Sequence, residues 1–464
     1  MLMLAAGGLL ALVALGVGAV LLYNRTDEAL TPASEALVAP RPVGGDATNN
    51  AYFMLLGMAA PAAADAAAVG RDWDQALFAR YGGSGPPPEG PAPELPASPL
   101  DAAWRDSLRC NGFERDCLAH YRALGPELER FAVEYAFLVA RYRRLVELPV
   151  YADRPPASIL EPLPAFTDLL ALDGFASAQA VAACEAGRCD QALRDVAASV
   201  AAWRRVLAAT HGLVAKMVFT RALQEKLALV NALAQRYPDF LPAGAPLPAA
   251  LGEPLTPAER GLDRPVASEV HMLARTLLNL DAASGQAAFS GRTAQPADLR
   301  SRLSDHMYRR HATVNMIAAR LPYYPVESRW RQTTENRPVA PPVRWPSGSF
   351  WSDYLDNPTG KILLAIAAPE FGSYVDRLLD LDGWLRLTAL HLQIRSGAVP
   401  DAAVPALLAA QAQRLGDPYT GQPMAWDPGN RTLWFQGRGN APASPGKPGY
   451  RYTVRLGGGP APRS

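Results

Sequence analysis

Apolar positions fall into two regimes along the chain. Residues 1–23 are apolar on every side, and no charged side chain appears before Arg25. Farther on, apolar residues recur on one face at helical spacing. Leu128, Phe131, Tyr135, Leu138, Tyr142 and Leu145 step by threes and fours, as do Leu193, Val196, Val200, Trp203 and Leu207. Leu223, Leu227, Val230 and Ala234 continue the pattern beyond His211-Gly212, which marks a break. Such narrow stripes need helical partners to bury them, so the pattern predicts antiparallel helices packed as a bundle or array. Arg141, Arg143, Arg144, Arg194 and Arg204 fall off the stripes.

The first regime reads as a transmembrane anchor. A helix of that length runs about 34 Å, enough to cross a hydrocarbon core of about 30 Å. Tyr23 suits the interface, and Asn24, Arg25, Asp27 and Glu28 follow. A cleaved leader is the rival reading. It would have a basic start and an apolar run of about 7–15 residues, whereas here the start is uncharged and the small residues Ser34 and Ala36 come well after the run ends.

Residues 24–46, with Pro32, Pro40, Pro42 and Gly44-Gly45, read as a juxtamembrane linker. A first helical subdomain is expected over 47–240, with short helices near 49–58 and 62–81 and a Pro-rich loop at 82–100. Trp73, Leu77 and Phe78 give the second of these a docking face. A second helical subdomain spans 241–416 and contains an aromatic loop at 321–352. Within it Thr256-Pro257-Ala258-Glu259 has the form of a capping box, and helices are expected near 266–281, 297–320, 359–396 and 401–415. Over 417–464 the pattern changes to strand, turn, strand: Pro423–Trp426, then Asp427–Asn430, then Thr432–Gln436, with Tyr450–Leu456 as a third strand. The expected class is therefore mainly α: an anchor helix, an antiparallel helical body and a small C-terminal antiparallel β-ribbon with a tail.

Residues 183–208 resemble the turn and second helix of a tetratricopeptide unit, with Gly187 at the turn and Ala192 at the close helix contact. The resemblance covers about 26 residues, and no second copy recurs at a period of about 34. A generic helical hairpin accounts for the spacing equally well.

The four cysteines form two close pairs, Cys110/Cys117 and Cys184/Cys189. Seven residues of unbroken helix would hold two Cα atoms about 10 Å apart, beyond the reach of about 7 Å that a disulfide allows. Asn111-Gly112 and Gly187 let the chain turn within each pair, so two local disulfides are expected. Free thiols or a zinc site are the rivals, but the spacings miss the usual knuckle. Disulfides in turn favour a body on the oxidising side of a membrane.

Charge adds two things. The chain of 464 residues has net charge +1, which argues against bulk nucleic-acid binding. The charge is uneven, with four Arg against nine acids over 24–100 and six basic residues against Asp427 alone over 420–464. Only four of the 45 basic residues are Lys, in keeping with a GC-rich genome.

Chemistry is sparse. The six histidines make no H-E-x-x-H motif, and there is no G-x-S-x-G elbow, phosphate loop or dinucleotide fingerprint. No cofactor or metal is implied. His271, Asp305 and His306 would have to be gathered from separate helices to form a site. The best binding candidates are Tyr323, Tyr324, Trp330, Trp345 and Trp351 in the aromatic loop, as pegs for the loop, as a protein contact or as a glycan platform. Glu327, Glu335, Asp353 and Asp356 lie near enough in sequence for a carboxylate pair. The expectation is a single-pass protein of the bacterial inner membrane with its body in the periplasm. Its expected role is a scaffold for an envelope protein partner, with a peptidoglycan-directed hydrolase or lyase as the alternative.

Overall fold

The computed structural model describes Gly8 and residues 15–43, 49–280 (without 84, 86, 87, 89, 92 and 95), 306–320, 355–367, 371–439 and 450–457. Among these, residues 15–23 are helical. Seventeen further α-helices follow among the described residues. The first seven are α1 (Pro32–Val38), α2 (Ala51–Leu56), α3 (Ala66–Tyr81), α4 (Ala102–Ser107), α5 (Cys117–Ala123), α6 (Gly125–Glu134) and α7 (Ala136–Glu147). Next come α8 (Phe166–Glu185), α9 (Cys189–Ala209), α10 (Leu213–Arg236), α11 (Ala249–Gly252), α12 (Pro257–Arg260) and α13 (Asp263–Asn279). The last are α14 (Arg310–Arg320), α15 (Pro358–Ala367), α16 (Gly372–Ser396) and α17 (Val404–Leu415).

Helix α10 is the hub, in contact with α8, α9, α13 and α16. Its residues Leu223, Leu227, Val230 and Ala234 are all buried. The predicted stripe from Leu128 to Leu145 is buried throughout, yet it runs over two helices. The break is at Tyr135, whose φ of −113° and ψ of 32° leave the helical region; the two segments still present one apolar face. Helices α8 and α9 form the hairpin expected at Gly187, which turns with φ +74°, a conformation that costs glycine little. The long helix expected over 359–396 is divided into α15 and α16.

Three strands, β1 (Ala425–Asp427), β2 (Thr432–Gln436) and β3 (Arg451–Arg455), form an antiparallel sheet in the order β1-β2-β3. Trp434 pairs with Ala425 on one side and Thr453 on the other. Alternation puts Leu433, Phe435, Tyr452 and Val454 on the buried face. A ribbon this small is marginal alone, and this one lies on α16. Gly383 makes the slot: a Cβ there would stand 2.5 Å from the Phe435 ring. Phe435 in turn stacks on Tyr452 at 4.9 Å.

Pro-rich loops carry carbonyls without matching amide donors. The body meets this with buried cations. Arg141 donates to the carbonyls of Met58, Ala60, Pro61 and Ala64. Arg204 donates to those of Ala250, Glu253 and Pro254. Arg275 binds those of Val38, Tyr81, Gly83 and Ala157. Lys216 takes those of Leu207 and Gly261, and burial pushes its ammonium down to about 8. Arg141 and Arg204, off the apolar stripes, are thus buried under loops rather than solvated.

Among the described residues no helix is long and apolar enough to cross a membrane. Residues 1–7 and 9–14 of the predicted anchor lie outside the described set.

Candidate functional site

Long-range polar contacts gather where the apolar N-terminal segment gives way to the body. Leu15, Leu22 and Tyr23 are exposed, at 72%, 70% and 61%, whereas the next residue, Asn24, is buried. The Asn24 amide donates to the carbonyls of Val20 at 2.8 Å and Leu355 at 2.7 Å, and its oxygen accepts from Asn357 N at 2.7 Å. Asn357 is itself in the left-handed region, φ +48°, which asparagine tolerates better than most residues. Its side chain bonds Thr313 Oγ1 at 2.8 Å and Arg309 N at 2.9 Å.

Asp27 then caps α14 from outside, accepting from the amides of His311 at 2.8 Å and Ala312 at 3.1 Å. A carboxylate at that end is favoured by the free amides and the helix dipole. Arg309 reaches Asp356 at 2.5 Å, Glu28 at 3.7 Å and Asp27 at 3.9 Å. Asn315 completes the attachment: it donates to Glu28 Oε1 and Ala29 O, and accepts from Thr31 N and Ser34 Oγ. The stretch expected as a linker therefore includes a helix, α1, held by its end. His271 Nδ1 donates to Leu37 O at 2.6 Å, and burial pushes the imidazole down to about 4.

Other clusters are bound up within the core. Asp173 accepts from Tyr142 at 2.6 Å and Trp203 at 3.0 Å and pairs with Lys226 at 3.2 Å. Arg154 sits between Asp74 and Glu161. Asp380 takes the Tyr419 hydroxyl and the amides of Arg438 and Gly439, and burial pushes its carboxyl up to about 7. That contact holds the end of β2 on α16. The nearest thing to a catalytic geometry is Asp153 with His211. The carboxylate accepts from His211 N at 2.8 Å, His211 Nδ1 at 3.0 Å and Thr210 Oγ1 at 2.5 Å. Sequence spacing gave no hint of this pair, since its members are 58 residues apart.

The cysteines pair as expected, Cys110 with Cys117 and Cys184 with Cys189, at Cα separations of 5.6 and 4.2 Å. The first closes a loop whose Phe113 packs edge-on against Tyr450 and Tyr452 at 5.2 and 5.8 Å. Tyr323, Tyr324, Trp330, Trp345 and Trp351, with Glu327, Glu335, Asp305 and Asp353, lie outside the described residues. Asp356 is described and is held by Arg309 and Lys361. His271 is held at Leu37, and His306 lines a cleft near Arg309. Among the described residues no three His, Cys, Asp or Glu side chains are grouped to hold a metal ion.

No protein-family model, no curated protein and no solved structure matches the chain.

Proposed function

We propose that the protein is a membrane-anchored, extracytoplasmic scaffold of the bacterial envelope, with residues 1–23 as its single transmembrane segment. The observation that carries this reading is the junction at Asn24. Leu15, Val17, Leu22 and Tyr23 are turned outward where water would be costly company, while the polar residues that follow are clamped to α14 and to Leu355 and Asn357 just ahead of α15. An anchor so attached would hold the body at a set angle to the bilayer, as a partner-positioning protein requires. The two disulfides support an oxidising compartment for the body.

The test uses the full chain expressed in bacterial cells. It should stay with membranes after alkaline carbonate extraction, be cleaved by protease added outside the inner membrane, and resist thiol labelling until reduced. Release by carbonate, or four thiols free and shielded until the inner bilayer is breached, defeats the reading. For the scaffold role, in-membrane crosslinking should yield one envelope partner. Release of soluble muropeptides from sacculi by the purified chain would overturn it in favour of a hydrolase.

A further inference from the structure

A cleft of about 490 Å³ opens beside the same junction, lined by Leu21, Leu22, Arg25, His306, Arg309 and Arg310. Its only lining carboxylate among the described residues is Asp27, and both oxygens of that group are engaged by amides of α14. Three arginines and one carboxylate thus line the cleft. They are not equally occupied. Arg309 already meets Asp27, Glu28 and Asp356. Arg310 spends Nε on Leu280 O at 2.9 Å and lies against the Tyr308 ring, leaving Nη1 and Nη2 without a carboxylate among the described residues. Arg25 makes no ion pair with a described residue and is exposed.

From this geometry we infer that the cleft binds the phosphate of an anionic phospholipid headgroup; the inference rests on the anchor reading above. The chemistry it recognises is a phosphate oxyanion, for which a planar guanidinium offers paired donors. The source is lipid rather than free phosphate because one wall is Leu21 and Leu22, the continuation of the apolar segment. A phosphate there would stand at headgroup depth with its glycerol against leucine. Leu355 and Ile362 are also exposed on the chain next to Asn357 and on α15, apolar side chains suited to the same interface.

The experiment uses the full chain, purified in detergent and titrated with phosphatidylglycerol, phosphatidylcholine or inorganic phosphate, with adducts counted by native mass spectrometry. One phosphatidylglycerol should be retained at about tenfold lower concentration than phosphatidylcholine. Arg25→Gln with Arg310→Gln should cut that preference at least fivefold. Arg25→Lys should keep most of it, and Arg143→Gln, an exposed charge elsewhere, should leave it unchanged. Equal retention of the two lipids, a preference untouched by the double variant, or inorganic phosphate binding as tightly as the lipid each overturns the inference. Thermal unfolding of the variants separates misfolding from lost binding. Carbonate extraction of the same chain from vesicles separates the two readings. A chain stripped by carbonate fails as an anchored protein, whereas one that stays integral without a phosphatidylglycerol preference fails only here.

Discussion

Arg204→Met tests the idea that buried cations hold the proline-rich loops. Arg204 uses all five N–H groups: Nε and Nη2 reach the two oxygens of Glu259 at 2.6 and 2.9 Å, and the rest go to Ala250 O at 2.9 Å, Glu253 O at 2.8 Å and Pro254 O at 2.8 Å. Both partners of the pair are about nine-tenths buried. Removing the cation leaves Glu259 charged and shielded from water, which costs about 4 kcal/mol in comparable buried pairs. Glu259→Gln keeps a neutral acceptor and should cost about 2 kcal/mol. If the two groups act as one, the double variant should cost about 4 kcal/mol rather than the sum, a coupling of about 2 kcal/mol. Hydrogen exchange of amides over 249–261 reads this directly, because the loop should open locally before the hub around α10 does. Protection of Leu255, bonded to Asp382 at 2.8 Å, and of Gly261, bonded to Pro257 O at 2.8 Å, should fall together in Arg204→Met. Additivity within about 0.5 kcal/mol, or unchanged exchange in that loop, would refute the reasoning.

Gly383→Ala should destabilise by about 1–3 kcal/mol, since the added methyl overlaps the Phe435 ring; thermal unfolding of Gly383→Ala with Phe435→Leu should recover part of the loss. Cys110→Ser opens a loop of separation 7 and should cost about 2–3 kcal/mol by loop entropy, read as a lower unfolding midpoint that reductant no longer changes to the same extent. His271 is held neutral by burial, its pKa pushed down to about 4 from 6.5. The unfolded chain therefore binds more protons than the folded one between those values. Stability should be full above pH 6.5 and fall as pH drops toward 4, by at most about 3 kcal/mol from this group. His271→Gln should flatten that part of the curve, and an unchanged slope would assign it elsewhere.

What the amino-acid order determined by itself is local. The three- and four-residue stripes, the Gly187 turn, the Thr256–Glu259 capping box and the strand at Thr432–Gln436 are set by neighbours within a few positions, and the structure contains each of them. The disulfides belong here too, because short separations and an intervening turn made each pairing geometric. Tertiary structure decided the rest. Asn24 meets Asn357, and Asn315 meets Ser34, across separations of 333 and 281 residues. An asparagine has no periodicity to announce a partner so far away. The same holds for Arg141 and Arg204: a charged residue off an apolar stripe looks solvated until a proline-rich loop lays its carbonyls over it. Whether such a side chain is buried depends on which distant backbone lacks donors, and that is known only once the chain has closed on itself.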